Sequence, residues 1–155
     1  MMNTVLRRLF GARKKDDRPL VAVIEDEQDL CEMIRLALDP GGYAVQTASD
    51  GVAGLDLIRS QRPALVILDI MMPRMNGYEM LAKVHQDPEL AKMPVIVLTS
   101  VTEDGTEKTD EEWAKSLGVS LFISKPCDPT KIAEAVDSLL KPADQAETGS
   151  SVTAP

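Results

Sequence analysis

Four stretches of this chain, "LVAVIE", "ALVILD", "PVIVLTS" and "VSLFIS", are short runs of mostly apolar residues that each end on a polar side chain. A strand with water on one face alternates in polarity, whereas a run that is apolar at every position must be covered on both faces. Helical patterns separate these runs. "DEQDLCEMIRLALDP" places Leu30, Ile34, Ala37 and Leu38 on one face and stops at Asp39-Pro40-Gly41-Gly42. "YAVQTA" alternates as a strand, and Ser49 or Asp50 can cap a helix over 51–60. "GYEMLAKVHQ" predicts a third helix, and the acidic segment "VTEDGTEKTDEEWAKSLG" leads through a fourth around Trp113. "DPTKIAEAVDSLLK" predicts the last, with Pro129 near its first turn. Strand and helix thus alternate five times, which predicts an α/β domain with a parallel sheet covered on both faces by helices.

A chain of 155 residues is long enough for one domain with a proper core. Aromatic residues are only 3%, so that core must be built from Val, Ile, Leu, Met and Ala. No apolar run approaches the roughly 18 residues of a membrane-spanning helix, and no secretory leader is expected, which predicts a cytoplasmic protein. Cys31 and Cys127 lie far apart without a CxxC pattern and read as reduced thiols. The single histidine, His85, reads as a surface residue and argues against a zinc site.

The net charge of −8 is unevenly spread: residues 1–19 hold six basic and two acidic side chains, leaving −12 for the remainder. So acidic a domain repels a nucleic-acid backbone, and no direct nucleic-acid binding is expected. Residues 1–19, with Val5, Leu6, Leu9 and Phe10 beside the basic side chains, read as a flexible basic extension. So short a helix is marginal alone, which leaves contact with an anionic membrane as the weaker alternative. Residues 142–155, "ADQAETGSSVTAP" after Pro142, are small and polar and read as a disordered tail. The folded domain is expected over 20–141.

In open parallel sheets function collects at the carboxyl ends of the strands. Those ends carry Glu25 and Asp26, Asp69, Thr99 and Ser100, and Lys125. Three neighbouring acids repel one another unless a cation lies among them. Oxygen ligands without His or Cys select a hard ion, for which Mg²⁺ is the expectation. A carboxylate oxygen can also attack phosphorus and hold a phosphoryl group as an acyl phosphate.

The fragments "VIEDE", "LDIMMPRMNG", "VLTS" and "FISKP", in this order at successive strand ends, resemble the receiver domain of two-component response regulators over about residues 20–141. The resemblance implies a three-layer α/β/α, flavodoxin-like (βα)5 fold with strand order 2-1-3-4-5. It implies that Asp69 is the phosphoacceptor, with Mg²⁺ held by Asp26, Asp69 and the Met71 backbone carbonyl, and by Glu25 through a water. Thr99 and Lys125 would contact the phosphoryl group, Phe122 would be the aromatic switch, and the bond before Pro126 would be cis.

A chain of this kind is expected to be a stand-alone switch that takes phosphate from a histidine kinase or histidine phosphotransfer protein. It would signal by protein contact to a downstream partner and be no enzyme beyond its own phosphorylation and dephosphorylation. The alternative is a phosphorylation-independent adaptor on the same fold. A phosphohydrolase is disfavoured because Met71 stands where such enzymes carry a second acid. Two features depart from the family pattern: the long acidic stretch Glu103–Glu112, and Gly54 inside a helix, where glycine costs about 1 kcal/mol. Met71, Met72 and Met75 read as flexible core filling, with a methionine-rich contact surface as the weaker alternative.

Overall fold

The structure, a computed structural model, describes residues 16–72, 74–75, 77–100 and 118–141. Its strands are β1 (Leu20–Ile24), β2 (Ala44–Ala48), β3 (Leu65–Asp69), β4 (Val95–Ser100) and β5 (Leu121–Lys125). The helices among the described residues are α1 (Gln28–Leu38), α2 (Gly51–Gln61), α3 (Gly77–Gln86) and α4 (Pro129–Leu140), with a 3₁₀ turn at Asp39–Gly41. All neighbouring strands pair in parallel, in the order β2-β1-β3-β4-β5. This is the three-layer, flavodoxin-like architecture implied by the motifs. The helix expected around Trp113 lies outside the described residues.

The apolar runs are continuous because the sheet has a core on each face, and successive side chains of a strand serve opposite faces. Val21, Val23, Leu65, Ile67, Ile96 and Leu98 pack with Ile34 and Leu38 of α1 and with Ile132 and Val136 of α4. Their sequence neighbours Ala22, Ile24, Val66, Leu68, Val95 and Val97 pack with Leu55 and Ile58 of α2 and Met80, Leu81 and Val84 of α3. The central strand β3 is buried along its whole length, while the edge strands β2 and β5 are partly open. At about 25 cal/mol per Å² of apolar surface, these two cores dominate the stabilisation.

Local signals set the helix ends. Asp50, not Ser49, caps α2, its Oδ1 accepting the Ala53 N–H at 2.8 Å, and Asp128 caps α4 through the Thr130 N–H at 2.9 Å. Gly54 has a packing reason: a Cβ there would lie 2.8 Å from Cγ2 and Cδ1 of Ile24, so its bare backbone lets α2 settle onto β1. Gly51 is tighter still, since a Cβ would stand 2.4 Å from the Met75 carbonyl oxygen in the loop after β3. The first turn of α2 is thereby pressed against the segment that follows Asp69.

The chain is joined to the domain before its first strand. Arg18 pairs with Asp16 and with Asp39 at the end of α1, and the Pro19 carbonyl accepts the Ala44 N–H. Met71 corrects the core-filling expectation: Met72 is buried and Met75 packs on the core, but Met71 is 72% exposed above the strand ends. His85 lies on the surface at the end of α3, as expected.

Candidate functional site

The chain runs from β1 outward to β2, then crosses back so that β3 lies on the other side of β1. The crevice of such a sheet opens at that reversal, beyond the carboxyl ends of the two strands. Ile24 pairs in register with Leu68, so the next residues along each strand, Glu25 and Asp69, emerge side by side. Carboxylate oxygens of Glu25, Asp26 and Asp69 lie within 4.8 Å of one another. Glu25 and Asp69 are buried, and Asp26 faces solvent at the rim.

Lys125 arrives from the end of β5, two strands away. Its Nζ donates to Asp69 Oδ2 at 3.1 Å and stands 2.8 Å from Glu25 Oε2. The second contact is a buried ion pair, and among the described residues Glu25 Oε2 has no further polar partner. The other oxygens are fixed by backbone: Glu27 N–H donates to Glu25 Oε1 at 3.1 Å and Met71 N–H to Asp69 Oδ1 at 3.0 Å. The Lys125–Pro126 peptide bond is cis.

The electrostatics follow from this packing. Burial drives the Glu25 carboxyl up from 4.5 to about 7, against the opposing pull of Lys125 and the Glu27 amide, with Asp69 pushing in the same direction as burial. For Lys125, burial acts against the ammonium, but the carboxylates of Glu25 and Asp69 outweigh it and hold its pKa above the ordinary value. Beneath the cluster, the Cys31 thiol donates to the Glu25 carbonyl at 3.4 Å, and burial first, then the nearby acids, push it up to about 11. Both cysteines are free, as expected. The raised Cys31 pKa makes it a packing residue.

Thr99 is the penultimate residue of β4, paired in register with Ser124, one residue before Lys125. Phe122 is half-buried, paired in register with Val97, and its ring packs on the core shared with α2 and α3. One acid escaped the sequence reading. Glu27 Oε2 stands 3.8 Å from Lys125 Nζ, a third carboxylate around the same ammonium. The acidic run Glu25-Asp26-Glu27 was its only sequence signal.

Three close carboxylates facing one ammonium leave a net negative pocket, in which the Glu25 oxygen has Lys125 alone to offset its charge among the described residues. The donor set is all oxygen, so the residues present fit a hard divalent cation. Among the described residues, no helix is long and apolar enough to cross a membrane.

Comparison with known proteins agrees with this geometry. The chain is 32% identical over 120 residues to the polar-differentiation response regulator DivK of Brucella anthropi, covering 77% of this chain and 94% of that protein. It is 28% identical to protein PilH of Pseudomonas aeruginosa, covering 77% and 96%. Against the probable transcriptional regulator ycf27 of Guillardia theta it is 31% identical over 86% of this chain, yet spans only 50% of that protein. Among solved structures, the chemotaxis protein CheY4 of Vibrio cholerae superposes with a TM-score of 0.69 at 27% identity, covering 79% of this chain and 99% of that one. The signal receiver domain of a histidine kinase from Syntrophus aciditrophicus gives 0.69 at 29% identity, covering 79% and 89%. The family model for the response regulator receiver domain matches residues 21–147. With its sheet order and its acid-and-lysine rim, the chain belongs to the response regulator receiver domain family, the signalling module of two-component systems.

Proposed function

We propose that this protein is a phosphorylation-controlled switch that accepts a phosphoryl group on Asp69 from a histidine kinase or histidine phosphotransfer protein and signals through protein contacts. The observation that carries the reading is the setting of Asp69. It is a buried carboxylate whose two oxygens are oriented separately, Oδ1 by the Met71 amide and Oδ2 by Lys125.

In the transfer, an Asp69 oxygen attacks phosphorus and forms the new P–O bond. The P–N bond to the donor imidazole breaks, and its electron pair leaves with the imidazole. Lys125, already drawn in by Glu25 and Asp69, offers N–H donors to the phosphoryl oxygens as charge gathers on them. Thr99, near the carboxyl end of β4, would supply a hydroxyl from the strand that lies between Asp69 and Lys125. Asp26, Asp69 and the Met71 carbonyl would hold Mg²⁺, with Glu25 acting through a water. Bound there, the ion supplies the positive charge that lets an anionic nucleophile meet an anionic phosphoryl group.

Phosphorylation exchanges a carboxylate for a bulkier dianion in a pocket whose lysine is already engaged. Lys125 and Thr99 follow the new charge, the end of β4 moves, and Phe122 on neighbouring β5 repacks. Coupling of about 1–3 kcal/mol between the phosphosite and that edge of the sheet is enough for a useful response.

The test is intact-protein mass spectrometry under acid quench after incubation with acetyl phosphate and Mg²⁺. One added phosphoryl group is expected in the wild type and none in Asp69→Asn. No added mass in the wild type would favour the adaptor reading, in which the fold binds partners without chemistry at Asp69.

A further inference from the structure

Glu27 occupies the N-cap position of α1, where a short polar side chain ordinarily accepts a backbone N–H of the first turn. Its side chain makes no such bond. It is 68% exposed and leans toward Lys125, which it approaches at 3.8 Å, while its backbone amide orients Glu25. Glu27 also lines, with Asp29, Leu30, Met33, Pro126 and Cys127, a cleft of about 420 Å³ that opens beside Lys125.

The geometry points to Glu27 as a specificity-determining residue that discriminates among phosphodonors by their charge; this rests on the reading of Asp69 as phosphoacceptor. Lys125 Nζ lies 3.8 Å from Glu27 Oε2 and 3.1 Å from Asp69 Oδ2, so the two carboxylates are no more than about 7 Å apart. An exposed negative charge at that range repels an incoming anion by a factor of about three per unit of donor charge in water at low salt. The buried acids are offset in part by Lys125 and would be offset further by a bound cation. Glu27 is too exposed and too far from Lys125 to be fully offset, so its field reaches the entrance. A small, highly charged donor is slowed most. A donor whose phosphoryl dianion is bonded to a protonated nitrogen carries one unit less net charge and is slowed less, and a protein donor can offset its charge further with its own side chains. The residue thereby biases the site toward donors of lower net charge and away from free acyl phosphates.

Two small donors separate this effect from a general loss of activity. Acetyl phosphate near neutral pH is a dianion: its acyl O–P bond breaks and acetate leaves with the electron pair. Phosphoramidate is a zwitterionic monoanion: its P–N bond breaks and ammonia leaves with the electron pair. Phosphorylation rates at Asp69 are measured by acid-quench mass spectrometry at saturating Mg²⁺ for wild type, Glu27→Gln and Glu27→Lys, at low and at about 1 M salt. At low salt the acetyl phosphate to phosphoramidate rate ratio is expected to rise about threefold in Glu27→Gln and about tenfold in Glu27→Lys. At about 1 M salt, where the screening length falls to about 3 Å, both ratios should fall back toward the wild-type value. A merely structural role would slow or speed both donors alike. An unchanged ratio in both variants, with Asp69 still labelled, overturns the inference and leaves the phosphoacceptor reading standing. No labelling of the wild type by either donor overturns that reading, and this inference with it.

Discussion

Replacing Glu25 by glutamine keeps the shape of the side chain and removes one buried charge, so it isolates the energetic cost of the acidic pocket. Without metal, the folded chain holds the Glu25 proton up to about pH 7, whereas an ordinary carboxyl releases it near 4.5. Between those limits the folded state binds more protons than the unfolded state, so stability falls as pH rises through the window. At about 1.4 kcal/mol for each tenfold, the full loss is about 3 kcal/mol. It is absent below pH 4.5, where both states are protonated, and complete above pH 7. Urea unfolding of wild type and Glu25→Gln in EDTA, from pH 4.5 to 8, reads this difference directly. The variant should gain on the wild type by about 3 kcal/mol across the range. Millimolar Mg²⁺ at pH 8 should narrow the gap, because the ion binds the complete set of acids in the folded state only. Parallel curves with a constant offset would refute the assignment of the buried charge to Glu25.

Other expectations rest on single contacts. Gly51→Ala drives a methyl group into the Met75 backbone and Gly54→Ala drives one into the buried, β-branched Ile24, and each should cost about 1–3 kcal/mol in denaturant titration. Tyr43→Phe removes the 2.6 Å hydrogen bond that the buried phenol donates to Asp137 and should cost about 1 kcal/mol. That bond holds the Asp137 carboxyl below its ordinary range, so the difference between wild type and Tyr43→Phe should shrink as pH falls through the acid range and Asp137 is protonated. Mg²⁺ should raise the thermal midpoint of the wild type, and an identical rise in Asp26→Ala, read by differential scanning fluorimetry, would place the ion elsewhere.

The sheet was legible in the sequence because β1, β3 and β4 are buried on both faces, and two-sided burial forces an unbroken apolar run. β5 was less sharp: as an edge strand it tolerates Ser124, and its pairing begins at Leu121, two residues inside the "VSLFIS" run. The site acids were legible by their position at strand ends. Glu27 was not, because its approach to Lys125 joins residues far apart in sequence through the crossing of β3 and β4 between β1 and β5. Gly54 looked like a weak point in a helix, since its partner Ile24 belongs to another element. Met71 was misplaced in the core because residue type does not say which way a loop side chain turns, and here it faces solvent.

The metal dependence of phosphoryl uptake at Asp69 tests the chemistry of the pocket most directly. Acid-quench mass spectrometry with phosphoramidate would compare wild type in Mg²⁺, wild type in EDTA, and Asp26→Asn in Mg²⁺. Labelling at Asp69 is expected in the first and should be lost or strongly slowed in the other two. Equal labelling with and without the ion, or label carried by a residue other than Asp69, would contradict it.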